Sequence, residues 1–135
     1  MPFWKCYYHV VWATHQRMPL ITPALEKVIL EAVERKSRAL ECPVLAANAL
    51  PDHIHVAVNI PPKIAVADWV RNVKGLTAHE VNAMHPNQPQ AFRWQGGYGV
   101  LTFGAKNLPL VLDYVQRQKE HHASQTLQDY LEQIE

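Results

Sequence analysis

Two histidines stand one residue apart, His53 and His55, inside the run Pro51-Asp52-His53-Ile54-His55-Val56-Ala57-Val58-Asn59-Ile60. The run is rich in β-branched residues and reads as a strand. Strand side chains alternate between faces, so both imidazoles project to one side, with Ala57 and Asn59. Ile54, Val56, Val58 and Ile60 project to the other. Adjacent imidazoles on a rigid surface suit a divalent metal ion. Two structural histidines give the same spacing, and the chain has eight histidines. A second group lies downstream. Tyr114, Gln118, His121 and His122 fall at i, i+4, i+7 and i+8, a polar stripe on a helix whose apolar stripe is Leu108, Val111, Leu112 and Val115. A phenol and an amide oxygen one turn apart can approach the same object. Taken without the histidine pair, the stripe reads as a solvated face carrying a half-buried tyrosine.

These groups need elements to hold them. Phe3 to Thr14 reads as a long first strand, and His15 to Ile21 as a polar segment ending in a turn. Thr22-Pro23 is a helix start, an N-cap residue before proline in the first turn. Leu25, Val28, Ile29, Ala32, Val33 and Leu40 then recur at helical spacing. Cys42-Pro43 ends that helix. Val44 to Leu50 and His53 to Ile60 read as a hairpin turning at Pro51-Asp52. A second helix fits Ile64 to Met84, with Gly75 as its weak point. Phe92-Arg93-Trp94 and Val100 to Phe103 read as strand material around the tight turn Gly96-Gly97-Tyr98-Gly99. A third helix runs from Asn107-Leu108-Pro109 to about His122, and a last one from Thr126 to Ile134. The first six elements follow the split βαβ order of an α+β, ferredoxin-like domain. In that topology the first and third strands are central neighbours, the sheet is antiparallel and helices cover one face. The histidines should then open onto the uncovered face.

The length, 135 residues, fits one domain spanning 1–135. With 48% hydrophobic and 19% charged residues the chain can bury a conventional core. No apolar run is long enough to cross a membrane, no signal-peptide layout opens the chain, and a cytoplasmic location is expected. Cys6 and Cys42 make neither a disulfide framework nor a zinc knuckle and read as small buried hydrophobes. A formal charge of +1 does not by itself predict nucleic-acid binding, which would need a local patch or a metal.

The ordered blocks resemble a known family. Pro51-Asp52-His53-Ile54-His55-Val56 is similar to the His-hydrophobe-His (HUH) signature of the single-tyrosine transposases of insertion sequences 200 and 605 and their REP-associated relatives. Tyr8-His9-Val10-Val11-Trp12-Ala13-Thr14 is similar to that family's first strand. Trp94-Gln95-Gly96-Gly97-Tyr98-Gly99 and Tyr114-Val115-Gln116-Arg117-Gln118-Lys119-Glu120-His121-His122 follow in their places. The resemblance covers nearly the whole chain. It implies that His53, His55 and Gln118 hold a divalent metal and that Tyr114 is the catalytic nucleophile. Where the family commonly has Asn-Gln, this chain has Arg117-Gln118, keeping the implied ligand and changing its neighbour.

The implied reaction is cleavage and rejoining of single-stranded DNA through a 5′-phosphotyrosine intermediate. A phenol of ordinary pKa, about 10, attacks poorly at neutral pH without help. A cation on the scissile phosphate supplies that help. Mg²⁺ or Mn²⁺ is implied, with Mn²⁺ the better match to imidazole. The resemblance further implies DNA hairpin ends and a homodimer, in which the His pair of one subunit can meet the tyrosine helix of the other. Candidate DNA contacts are Lys5, Arg17, Arg71, Lys74 and Arg93, with Trp94 or Tyr98 as stacking surfaces. Alternatives are a related nickase, a host-adopted copy acting on genomic palindromes, a non-catalytic ferredoxin-like nucleic-acid-binding module and a metal-sensing regulator.

Overall fold

Period-two alternation sorts the first and third strands into two faces. In the computed structural model, which describes residues 3–124 and 129–134, Val10 and Trp12 join Ile54, Val56 and Val58 in one buried cluster. The strands that carry them are β1 (Tyr7–Ala13) and β3 (His53–Asn59). They are adjacent and antiparallel, with Val11 opposite His55 and Ala13 opposite His53. β2 (Val44–Leu50) and β4 (Gly99–Phe103) flank them, giving the order β2-β3-β1-β4. This is the expected split βαβ sheet.

The first face is closed by α1 (Pro23–Ala39) and α2 (Val66–Met84). Thr22 caps α1 through its side chain, which accepts from the Leu25 amide at 3.3 Å, and Pro23 stands in the first turn. The two helices meet through buried Ile29, Val33, Trp69 and Val73. The polar atoms this packing buries have partners. Trp69 Nε1 donates to Ser37 Oγ at 3.0 Å, and Trp94 Nε1 donates to Thr77 Oγ1 at 2.9 Å. α2 continues through Gly75, which faces open space.

The second face is covered as well. Ala46 and Ala57 leave a shallow patch there, and α3 (Leu108–Gln116) lies on it through Val111 and Val115. α4 (Gln118–Ser124) follows, so the expected single helix from Asn107 to His122 is interrupted at Arg117. Asn48 Nδ2 donates to the Gln116 carbonyl at 3.1 Å, and Lys119 Nζ reaches Asn48 Oδ1 at 2.9 Å and Glu26 Oε1 at 2.7 Å. The junction is thus pinned to β2 and α1. A helical turn, α5 (Asp129–Glu132), then sets Ile134 against Val11 and Ala13. The expected start of this helix at Thr126 lies outside the described residues. The histidine face is therefore not open, as alternation alone suggested. It is roofed by the C-terminal helices, and His55 is fully buried.

Smaller differences have local causes. β1 begins at Tyr7, not Phe3, because its partner β3 ends at Asn59 before Pro61-Pro62, and Phe3 to Lys5 stay exposed. Phe92 to Trp94 contribute a single bridge, Thr14 to Trp94. Cys42 is buried, whereas Cys6 is only partly so. No helix among the described residues is long and apolar enough to cross a membrane.

Candidate active site

Three ring nitrogens converge on one carboxylate oxygen. Glu132 Oε1 lies 3.1 Å from His55 Nε2, 3.5 Å from His53 Nε2 and 3.5 Å from His122 Nε2. The four residues come from β3, α4 and α5, and their ligand atoms all lie within 4.8 Å of one another. The other carboxylate oxygen, Oε2, accepts a short hydrogen bond from the Tyr114 hydroxyl. Tyr114 is buried, stacks on His121 with ring centroids 4.7 Å apart, and meets His55 edge-on at 6.1 Å. The nominated nucleophile and the histidine pair thus share one chamber within a single chain.

Each strand histidine is held at its far nitrogen. His53 Nδ1 lies 2.6 Å from Asp52 Oδ1, to which it donates, and His55 Nδ1 lies 2.9 Å from His9 Nε2. A partner at Nδ1 fixes the ring and leaves Nε2 directed at the centre, the usual outer shell of a metal-binding histidine. In the metal-free chain His55 Nε2 donates to the ionised Glu132 at 3.1 Å and Nδ1 accepts from His9 Nε2. A cation at Nε2 would move the His55 proton to Nδ1, with His9 then accepting it. Gln118 is fully buried one turn after Tyr114. Its Nε2 donates to the Tyr114 carbonyl at 3.2 Å, while its Oε1 is buried without a hydrogen-bond partner. An unsatisfied buried amide oxygen is costly, and a cation would satisfy it. His53 Nε2 is likewise buried without a hydrogen bond. The donors that converge are the imidazole nitrogens of His53, His55 and His122 and the Glu132 carboxylate, a set that a divalent ion of Mn²⁺ type accepts. The residues present fit a metal.

The electrostatics agree with neutral His55 and His122 beside an ionised Glu132. Burial pushes His55 down, against the opposing pull of Glu132. Burial and the neighbouring His53 push His122 down. Burial would raise the Glu132 carboxyl, but its contacts with His53, His55 and Tyr114 outweigh that and hold it well below the usual carboxylate range. His9 falls from 6.5 to about 3, through burial first and repulsion from His55 second.

The His9 shift has a measurable consequence for the metal-free protein. The native pKa lies below the unfolded one, so the unfolded chain binds more protons once the pH falls below about 6.5. Unfolding free energy should therefore drop by about 1.4 kcal/mol per pH unit from this group alone, with His55 acting in the same direction. Urea midpoints taken at pH 7 and pH 5 check this. A midpoint that does not move would mean His9 takes up its proton inside the fold.

The nominated DNA contacts are more dispersed. Arg17 is exposed beside the chamber, with Nη1 3.7 Å from Asp52 Oδ2. Lys5 is exposed, its Nζ 5.5 Å from the centroid of the Phe3 ring. Arg71 is exposed and pairs with Asp68 at 2.7 Å. Lys74 donates to the carbonyls of Gln95 and Gly97 at 2.7 and 3.0 Å, bracing the glycine turn. Arg93 is exposed. Trp94 is half-buried and packs edge-on against Trp12 and Phe92. Arg117, at the position where the resemblance is broken, is turned outward to Asp113 and Glu120.

Sequence reasoning did not nominate Glu132, His9 or Asp52 for the site, and it placed His122 on the polar stripe without a ligand role. His9 had a signal. It shares the β1 face with Val11, which pairs with His55. Glu132 had none, since nothing in its local sequence ties it to β3.

The chain matches the family profile described as "Transposase IS200 like" over residues 2–118. It is 27% identical over 121 residues to the transposase for insertion sequence element IS200 of Salmonella typhimurium, covering 87% of this chain and 79% of that protein. It is 20% identical over 117 residues to the ISDra2 transposase TnpA of Deinococcus radiodurans, covering 84% of each. A crystal structure of a Deinococcus radiodurans R1 protein assigned as a transposase superposes with a TM-score of 0.70 at 22% identity, over 87% of this chain and 93% of that one. A REP-associated tyrosine transposase bound to a REP hairpin superposes with a TM-score of 0.67 at 17% identity, over 90% of this chain and 72% of that one. At these identities the structural likenesses bear on the fold.

Proposed function

Because the chain belongs to the IS200-like transposase family, we propose that it cleaves and rejoins single-stranded DNA through a 5′-phosphotyrosine on Tyr114, with a divalent cation held by His53, His55 and Gln118. The observation that carries this reading is the shared chamber, in which the phenol and both strand histidines meet one carboxylate. Mg²⁺ or Mn²⁺ bound there would neutralise charge on the scissile phosphate.

The chain's own residues do the rest. Asp52 and His9 hold the imidazoles in register. The Ala46–Ala57 patch seats α3 so that Tyr114 faces the histidines. Its Oη attacks phosphorus and the bond to the 3′ oxygen breaks. The phenol loses a proton and the departing oxygen gains one. One phosphodiester is exchanged for another, so a second 3′-hydroxyl can reverse the step without an external energy source. The roof over the chamber limits water, the competing nucleophile. Arg17, at the chamber's edge, is the nominated cation best placed to meet the strand. Lys5, Arg71, Lys74, Arg93 and Trp94 stand as further proposed contacts. The proposed partner is single-stranded DNA with hairpin ends, and the proposed assembly is a homodimer in which each chain carries a full residue set.

One gel tests the reading. Purified protein, Mn²⁺ and single-stranded element ends should give a shorter DNA product and a protein–DNA band that survives denaturation. A chain that binds these ends yet yields no covalent band with either metal would instead be a non-catalytic binding module.

A further inference from the structure

Resting on the metal-dependent reading above, we propose that the C-terminal helices add two ligands to the same cation, the Glu132 carboxylate and His122 Nε2. Ligand atoms about 2.1 Å from one ion stand about 3 Å apart when adjacent and about 4.2 Å apart when opposite. The separations of Glu132 Oε1 from the three ring nitrogens, 3.1 to 3.5 Å, match adjacent ligands. All four ligand atoms lie within 4.8 Å of one another, a limit only slightly wider than the separation of opposite ligands, so a small inward movement of the most distant pair would bring the set onto one ion. His122 Nε2 is buried and has no hydrogen bond of its own.

The segment that delivers Glu132 is seated by packing. Leu131 is buried, and Ile134 packs against Val11 and Ala13. Gly99 permits the approach, because a Cβ there would overlap the Gln133 carbonyl. Glu132 also acts at both ends. Oε1 faces the imidazoles while Oε2 holds the Tyr114 hydroxyl, so one carboxylate ties nucleophile to cation. It brings a negative charge and a hard oxygen to a set otherwise made of neutral donors, which Mn²⁺ accepts alongside nitrogen.

The competing account makes Glu132 a stand-in that fills the ion's place and must be expelled. The two accounts predict opposite signs. Mn²⁺ is titrated calorimetrically into the full chain, and the visible absorption of bound Co²⁺ is recorded in parallel. Glu132→Gln, which keeps the shape, should weaken Mn²⁺ at least tenfold and alter the Co²⁺ bands. Glu132→Asp should recover part of the affinity. His122→Asn should weaken Mn²⁺ in the same direction and carries the test if Glu132→Gln fails to fold. Gly99→Ala, which removes no ligand, should weaken it too by unseating the segment. Equal or tighter Mn²⁺ binding by Glu132→Gln, with an unchanged Co²⁺ spectrum, overturns the inference. His53→Ala separates the two layers. If it loses Mn²⁺ while Glu132→Gln and His122→Asn do not, the metal-dependent reading stands and this inference falls. If the wild-type chain binds no Mn²⁺, both fall.

Discussion

Tyr114→Phe is expected to abolish the covalent protein–DNA product and to lower strand cleavage by at least about a thousandfold. The change deletes one oxygen. That oxygen is the only phenolic group among the described residues hydrogen-bonded to the carboxylate the histidines share. The ring stays, with its stack on His121 and its edge contact with His55, so the chamber keeps its shape. One hydrogen bond to a charged group is lost, at a cost of about 1.5–3 kcal/mol. That shifts the melting temperature without unfolding the chain. DNA binding should persist, since the nominated cations lie on other elements. The variant therefore separates chemistry from recognition. A covalent band of normal yield from Tyr114→Phe would remove the nucleophile assignment and turn attention to Tyr7, Tyr8 or Tyr98, which sit on or beside the central strands.

The shared side of His53 and His55 was legible because strand alternation is a local rule, and the β1–β3 register then carried Val11 and Ala13 to the same face. The spacing of Tyr114, Gln118, His121 and His122 was legible for the equivalent helical reason. What could not be read was where those faces pointed. A polar stripe on a helix ordinarily meets water, whereas here Ala46 and Ala57 remove enough side-chain volume for α3 to lie on the sheet. The stripe then closes on the histidines. The break at Arg117 was invisible for a related reason: no proline or glycine marks it, and its pin comes from Asn48, distant in sequence. Glu132 is the extreme case. Its role depends on Gly99, Val11 and Ala13 receiving the segment around it, three positions on other strands whose small or branched side chains say nothing locally about a carboxylate.

His53→Ala is expected to remove metal-dependent cleavage altogether, and the reason lies in the way the ring is wired. His53 is nearly as buried as His55, its Nδ1 is taken by Asp52, and its Nε2 has no hydrogen bond. A side chain held this way contributes little to the fold through Nε2, so its main value is as a donor. Truncation deletes one of the two rigid ligands and should cut Mn²⁺ affinity by more than about a hundredfold, judged by the 10- to 100-fold already expected from losing an outer-shell partner. Asp52→Asn supplies that milder case. The ring remains but its orienting charge is gone, so affinity and cleavage should both fall about 10- to 100-fold and higher Mn²⁺ should restore cleavage. Added Mn²⁺ should not rescue His53→Ala. Tyr114→Phe, by contrast, should bind Mn²⁺ normally and cleave nothing. If His53→Ala cleaved at the wild-type rate with the same Mn²⁺ dependence, the imidazoles would be structural and the cation, if any, would sit elsewhere.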